Sequence, residues 1–299
     1  MSQCHRNRSS SHPCQANHLT LVRIKISAIL LSNDMQPSIV IHPPFQYLLS
    51  FDFDGTLHFP GDEPSVSRAF FSELLRIRRD FQAAWGINTG RSLEHLLEGM
   101  EEGRFPIDPD FIVAREREIY FRGDRGSWIA DEAWNGRCER EISRLFLECA
   151  PLLREIRELV EEHTSAQWIE MPGEPAGLIS RTEEEMDWIL QEIIKRVPPD
   201  SALGWQRSTI YLRFGDRDFQ KGSALSRIAQ QWHIPPARVF AIGDSHNDLE
   251  MLSPSTAAMA ACPANAVADI RDHVLHHGGY LCTLPHSHGV AEAMAHFFP

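Results

Sequence analysis

The sequence predicts an α/β fold, a doubly wound parallel-sheet core carrying an inserted α+β cap domain. Strand-length apolar runs alternate with helical patterns from Gln46 to Val113 and again from Lys221 past Ile242, the order that builds parallel sheets covered by helices. Between these stretches, short strands and charged helices follow one another without that alternation. Two acidic motifs each come directly after a predicted strand, where α/β sheets bind ligands.

Gln46 to Phe53 is a near-continuous apolar run, the pattern of a strand buried on both faces. Pro64 to Arg78 reads as a helix with Pro early, Phe70, Phe71, Leu74 and Leu75 on one side and basic residues late. Phe81 to Asn88 is the second strand, Ser92 to Glu102 the second helix and Phe111 to Val113 a short third strand. After about residue 116 the pattern changes. Arg117 to Phe121 is strand-like, and Gly136 to His163 is a charged helical region that Pro151 should break or kink. Gln167 to Met171 and Gly177 to Ser180 are strand-like, Thr182 to Arg196 is a helix opened by a Thr-x-x-Glu capping box, and Ser208 to Phe214 is a strand. The core pattern then resumes with a helix from Lys221 to Trp232, a strand from Arg238 to Ile242 and a helix from about Asn247. The domain boundaries expected from this are a disordered extension over 1–40, a core over 41–116 and 215–299, and a cap over 117–214.

Composition narrows the function classes. A formal net charge of -12 opposes non-specific binding to nucleic acid, which needs clustered Lys and Arg. No stretch approaches the roughly 18 uncharged apolar residues of a membrane span. Nucleic acid and membrane are therefore poor partners, a small phosphorylated substrate remains compatible with the charge, and a cytoplasmic monomer or homodimer is the expectation. Six cysteines at 4, 14, 138, 149, 262 and 282 show no CxxC pair and read as reduced thiols. His276-His277 and His286-x-His288 lie in no ligand framework and read as solvated loop residues. Leu19 to Ser32 holds only the brief apolar run Ala28 to Leu31, weak for a signal peptide. An extension with Met35 as an alternative start is the expectation.

Four short motifs carry chemistry. Asp52-Phe53-Asp54-Gly55-Thr56-Leu57 follows the first strand, and the strand period of two aims both aspartates to one side. Two carboxylates held together need a cation, a shared proton or water, and a divalent ion would leave Asp52 ionised and nucleophilic. Gly55 permits a tight turn beside a phosphate. A plain acidic turn is the alternative. Asn88-Thr89-Gly90-Arg91 ends the second strand, where a hydroxyl can meet a phosphate or simply make a turn. Lys221 opens a helix, although the helix dipole favours anions there; a bound phosphate resolves the conflict, and a surface lysine is the other reading. Gly243-Asp244-Ser245-His246-Asn247-Asp248 follows another strand, with two acids that suit a magnesium site or a helix start.

Taken in this order, the four motifs resemble those of haloacid dehalogenase-type phosphatases, whose nucleophile motif is DFDGTL. The resemblance covers about residues 46 to 298, ending with Gly289-Val290-Ala291-Glu292-Ala293, which is similar to the terminal helix of the group. The insertion lies where type C2 caps sit and resembles the C2B variety of sucrose-phosphate phosphatase and the Cof-like sugar phosphatases. The group commonly has Gly in the turn leading into the cap, whereas Ala114-Arg115-Glu116-Arg117-Glu118 has none.

The resemblance implies a Rossmann-like core and a Mg2+-dependent phosphatase acting on a small phosphate monoester, most readily a sugar phosphate. Asp52 would be the nucleophile, forming an aspartyl-phosphate, and Asp54 the general acid and base. Magnesium would be held by Asp52, the backbone carbonyl of Asp54 and Asp244, with Asp248 direct or through water. Thr89, Gly90 and Lys221 would bind the phosphate, with Gly55 and Asn247 in support. A phosphomutase of the phosphomannomutase type and a non-catalytic binding protein on the same scaffold are the alternatives.

Overall fold

A computed structural model describes residues 45–170 and 175–299. The extension expected over 1–40, with Cys4, Cys14 and Met35, lies outside the described residues, as does Met171.

The central sheet forms around β1 (Tyr47–Phe51), an apolar strand without Gly or Pro. β2 (Ala83–Asn88) and β3 (Phe111–Ala114) continue it on one side, and β10 (Val239–Ile242), β11 (Met259–Cys262) and β12 (Tyr280–Leu281) on the other. These six strands are parallel. β4 (Glu118–Arg122) and β5 (Trp128–Ala130) extend the sheet antiparallel, giving the order β12-β11-β10-β1-β2-β3-β4-β5. The chain therefore leaves β1 toward β2 and β3 and returns to its other side at β10. That reversal of strand order is the switch point at which open α/β sheets bind ligands.

Side chains alternate between two apolar layers, as the strand period requires. Leu49, Phe51, Trp85 and Ile87 face one layer, with α1 (Arg68–Phe81), α2 (Leu93–Glu102) and α8 (His286–Phe297). Leu48, Ala84 and Ala241 face the other, with α6 (Lys221–Gln231) and α7 (Ala268–His276). Both faces are covered, which is why β1, β2 and β10 read as unbroken apolar runs.

A second sheet, order β6-β7-β9-β8, is antiparallel throughout. It consists of β6 (Gln167–Ile169), β7 (Gly177–Ile179), β8 (Leu203–Ser208) and β9 (Tyr211–Asp216). Leu178, Leu212 and Phe214 pack on one of its faces with Ile156 and Val160 of α4 (Ala150–His163) and Met186, Ile189 and Ile193 of α5 (Glu183–Arg196). α3 (Glu132–Glu148) precedes α4, and the break comes where Pro151 enters the first turn of α4.

Several boundaries differ from the sequence reading for identifiable reasons. α1 begins at Arg68 rather than Pro64, because the Ser67 hydroxyl accepts from the Phe70 N–H and caps the helix there. The run Ser208 to Phe214 spans a hairpin: β8 ends at Ser208, Thr209 turns the chain with φ of 49°, and β9 starts at Tyr211. The helix expected from Asn247 is a single 3-10 turn, His246–Asp248, since the Asp248 carboxylate is spent on the N–H groups of Asp244 and Ser245 and Pro254 follows. The strand at 118–122, read as the start of the insertion, belongs to the central sheet. His286 is not a solvated loop residue either: it opens α8, stacks on Phe59 at 4.0 Å and contacts Asp62 at 2.9 Å. His276 lies in the last turn of α7. Cys138, Cys149, Cys262 and Cys282 are free thiols.

Candidate active site

The register of three strands assembles the site. Phe51 lies level with Ile242 on one side and Ile87 on the other, so the residues after each strand emerge together: Asp52, Asp244 and Thr89. The Asp52 N–H still donates to Ile242 O at 3.0 Å, continuing the ladder one step beyond the strand. Gly55 turns the chain back with φ of +79°, and a Cβ there would stand 2.7 Å from Asp244 Oδ2, so glycine is required on both counts.

Asp52 is buried, and Lys221, the first residue of α6, is wholly buried beside it. The Lys221 ammonium donates to Asp52 Oδ1 at 2.6 Å and to Asp248 Oδ1 at 2.7 Å. Its backbone is fixed by the buried Asn88, whose Nδ2 donates to Lys221 O at 3.0 Å. The cation at a helix N-terminus is thus explained by two carboxylates. Burial by itself lowers the Lys221 pKa, but Asp248 and Asp52 outweigh it and raise it. Asp248 Oδ2 accepts the N–H groups of Asp244 and Ser245, both at 3.0 Å. Thr56 donates to Asp244 Oδ1 at 2.8 Å.

Carboxylate oxygens of Asp52, Asp244 and Asp248 lie within 4.8 Å of one another. Burial pushes Asp52 well above the usual carboxylate range; Lys221 opposes this and the two neighbouring acids add to it. Asp244 is raised to about 6, by burial first and Asp248 second. Three carboxylates against one ammonium leave two uncompensated negative charges. An all-oxygen donor set of this charge fits a divalent hard cation.

Asp54 stands apart from this cluster. Its side chain is 52% exposed and bound at both oxygens by Arg91, at 2.6 and 2.8 Å. The Arg91 guanidinium also lies 4.8 Å over the Phe53 ring. Both aspartates nevertheless line one cleft of about 1050 Å³, with Thr89, Gly90 and Asn247, roofed by Ile179 and Arg213 of the second sheet. The buried Thr89 hydroxyl accepts from the Arg91 N–H at 3.1 Å, which leaves its own proton to donate.

Sequence reasoning missed Glu116. It is buried and accepts from Asn247 Nδ2 at 2.8 Å, while its N–H donates to Thr89 O at 2.8 Å. The turn without glycine is left-handed all the same: Arg115 has φ of 50° and Glu116 of 66°, and Arg117 N–H closes it onto Ala114 O. Asn-Gly is the usual occupant of such a turn, and a non-glycine residue in this region costs roughly 1–2 kcal/mol. The bonds from Arg115 N–H to Arg91 O and from Glu116 N–H to Thr89 O hold it in place. Glu116→Ala is expected to destabilise the protein by about 1–2 kcal/mol, since it strips the half-buried Asn247 amide of a charged partner, and Glu116→Gln by clearly less. Equal losses in urea unfolding would show that the Asn247 bond is not what matters.

Of the motif residues, Asp52, Asp54, Thr89, Gly90 and Asn247 line one cleft, while Lys221, Asp244 and Asp248 gather around Asp52 beneath it and Asp54 stands apart from these acids. Residues 159–294 match the family model of haloacid dehalogenase-like hydrolases. Phosphoglycolate phosphatases of Methanospirillum hungatei and Methanothermobacter thermautotrophicus are 34% and 35% identical over 79 and 82 residues, 26% and 27% of this chain. The matched stretch spans about a third of each, 32% and 34%. Among solved structures, the sucrose-phosphatase of Synechocystis sp. PCC6803 in complex with sucrose and phosphate superposes with a TM-score of 0.63 at 18% identity, over 84% of this chain and 98% of that one. A haloacid dehalogenase-like hydrolase from Bacteroides thetaiotaomicron gives 0.56 at 20% identity, over 84% and 99%. Similarity to haloacid dehalogenase-like hydrolases thus runs in sequence from the end of α4 into the last helix, and the fold is shared with such proteins over most of the chain.

Proposed function

We propose that the protein is a phosphatase that hydrolyses small phosphate monoesters by passing the phosphoryl group through Asp52. The observation that carries this reading is the buried Lys221 bridging Asp52 and Asp248 beside Asp244, at the floor of an open cleft. Such a floor is set up for a divalent cation and a dianionic phosphate together.

Asp52 attacks phosphorus in line; the P–O ester bond breaks, and its electron pair stays on the leaving oxygen, which takes a proton from Asp54. For this Asp54 releases one of its two bonds to Arg91 and carries a proton on the freed oxygen, taken from solvent at first and from the attacking water of the preceding turnover thereafter. Water then attacks the aspartyl-phosphate, Asp54 takes its proton, and the P–O bond to Asp52 breaks to free inorganic phosphate. The Thr89 hydroxyl, the Gly90 backbone and the Lys221 ammonium hold the transferring oxygens, the positioning on which phosphoryl transfer chiefly relies. Asp52, Asp244 and the Asp54 carbonyl would hold magnesium, with Asp248 direct or through water, and the ion when bound neutralises charge on the phosphoryl oxygens. The likeness to a sucrose-binding phosphatase favours a sugar phosphate, and the curated relatives favour phosphoglycolate.

The test is hydrolysis of p-nitrophenyl phosphate and a panel of phosphate esters, with magnesium, with calcium and with chelator. Turnover that needs magnesium and fails with calcium, whose larger shell disturbs the in-line geometry, supports the reading; full activity in chelator contradicts it. Release of inorganic phosphate without a bisphosphate activator excludes a phosphomutase.

Linkage adds a second check. The pKa values of Asp52 and Asp244 are raised in the folded state, so the metal-free fold binds protons more readily than the unfolded chain. Its stability from these groups is present at low pH and is lost as pH rises above the ordinary carboxylate range, for Asp244 through about 6. A cation that replaces those protons should therefore raise the melting temperature by an increment that grows from pH 5 to pH 7.5. A magnesium increment independent of pH contradicts the assignment of these carboxylates.

A further inference from the structure

We propose that Arg213 reads a second anionic group on the substrate, so that the site prefers phosphate esters of acids to neutral ones; this rests on the phosphatase reading above. The alternation of β9 turns Leu212 and Phe214 into the cap core and Arg213 toward the cleft. Its guanidinium reaches down to Gly90 O, with Nη1 at 3.4 Å, beside the station where Thr89 meets the phosphate.

The charge balance of the cleft singles this residue out. Arg91 donates from Nε and Nη2 to Asp54, Lys221 is bridged by Asp52 and Asp248, and Arg115 pairs with Glu118 at 3.2 Å. Arg213 is half-buried, and among the described residues it pairs with no carboxylate; its contact there is one long bond to a carbonyl. Its neighbours on the roof, Ile169, Ile179, Gln206, Ser208 and Tyr211, carry no charge. A guanidinium offers a planar fork of donors that matches a carboxylate or a phosphate. With the phosphoryl group seated on Asp52, the rest of the substrate extends from the floor toward this roof. A neutral leaving portion would bury the guanidinium without a counter-charge, which is costly; an anionic portion supplies it.

The experiment compares matched esters on the full chain: 2-phosphoglycolate against ethyl phosphate for a carboxylate, and fructose 1,6-bisphosphate against fructose 6-phosphate for a second phosphate. The quantity read is the ratio of kcat/KM for the acidic ester to that for its neutral partner, in wild type, Arg213→Gln and Arg213→Lys. Intrinsic reactivity of the esters cancels when variants are compared. Arg213→Gln should lower the ratio roughly tenfold or more for one pair, mainly through KM, and Arg213→Lys should fall between. The pair affected identifies the anionic group. A fall in activity that leaves both ratios unchanged means that Arg213 serves the fold or the transferring phosphoryl group, and overturns the proposal. So does a wild type indifferent to the second charge. No hydrolysis of any ester, p-nitrophenyl phosphate included, removes the phosphatase reading itself and is thereby distinguishable.

Discussion

Asp52→Asn is expected to reduce turnover by about 10⁴-fold or more, because no covalent intermediate can form without the carboxylate oxygen. The metal-free variant should at the same time be no less stable than the parent at pH 7.5. An amide oxygen can still accept from Lys221, while one of three crowded buried carboxylates is gone, and with it the cost of ionising a group that burial holds well above its usual range. Loss of activity without loss of stability separates a chemical role from a structural one. Asp54→Asn should behave differently. Its carboxylate sits at the rim on Arg91, outside the acid cluster, so the cation site should survive and only proton transfer be lost, a contribution of roughly 10²- to 10⁴-fold. An ester with a good leaving group should then phosphorylate Asp52 and stall there, giving a mass increase of one phosphoryl group on Asp52. Normal hydrolysis of sugar phosphates by either variant contradicts these roles.

Much of this site was legible because its residues are local to strand ends. β1 and β10 are apolar runs that can only be buried strands, and each delivers an acid at its C-terminal end. Once the strands are parallel and adjacent, Asp52, Thr89 and Asp244 must meet. Elements with weaker signals were missed. β11 reads Met-Ala-Ala-Cys, small residues without the β-branched character that marks a strand, and β8 was hidden because its polar end runs straight into the hairpin turn at Thr209.

The unread part of the site depends on contacts distant in sequence. Nothing near Asp54 announces that Arg91 will grip it across 37 residues, nor near Gly90 that Arg213 will reach it across 123. The absence of glycine at 114–118 was visible, but its consequence was not: the left-handed turn persists, carried by Arg115 and Glu116 and held by carbonyls of the Thr89 loop. A local rule is broken there by tertiary bonds, as it is at strained residues of functional sites generally.

Lys221→Met tests the electrostatics of the floor most severely. The methionine fills the same volume without charge, so Asp52 and Asp248 lose a shared partner at 2.6 and 2.7 Å in a wholly buried setting. Removing one member of a buried ion pair costs about 3–5 kcal/mol, because the charges left behind are uncompensated. We therefore expect urea unfolding without metal at pH 7.5 to show a deficit of that order, together with loss of turnover. The raised pKa of Lys221 keeps its ammonium charged, and its contribution present, at every pH below its unfolded value of about 10.5, so titration of the lysine itself plays no part near neutrality. The acids do titrate. As pH falls through about 6 Asp244 takes up a proton, and Asp52, also raised by burial, shifts the same way, so the uncompensated charge falls and the deficit of Lys221→Met should shrink between pH 7.5 and pH 5. Adding Asp52→Asn to Lys221→Met removes one of the stranded carboxylates and should recover part of the loss, a favourable coupling between two changes of which one alone is strongly destabilising. A Lys221→Met protein as stable as the parent without metal, or a double variant that loses the sum of the two single effects, would show that the ammonium is not what holds these carboxylates in the floor of the cleft.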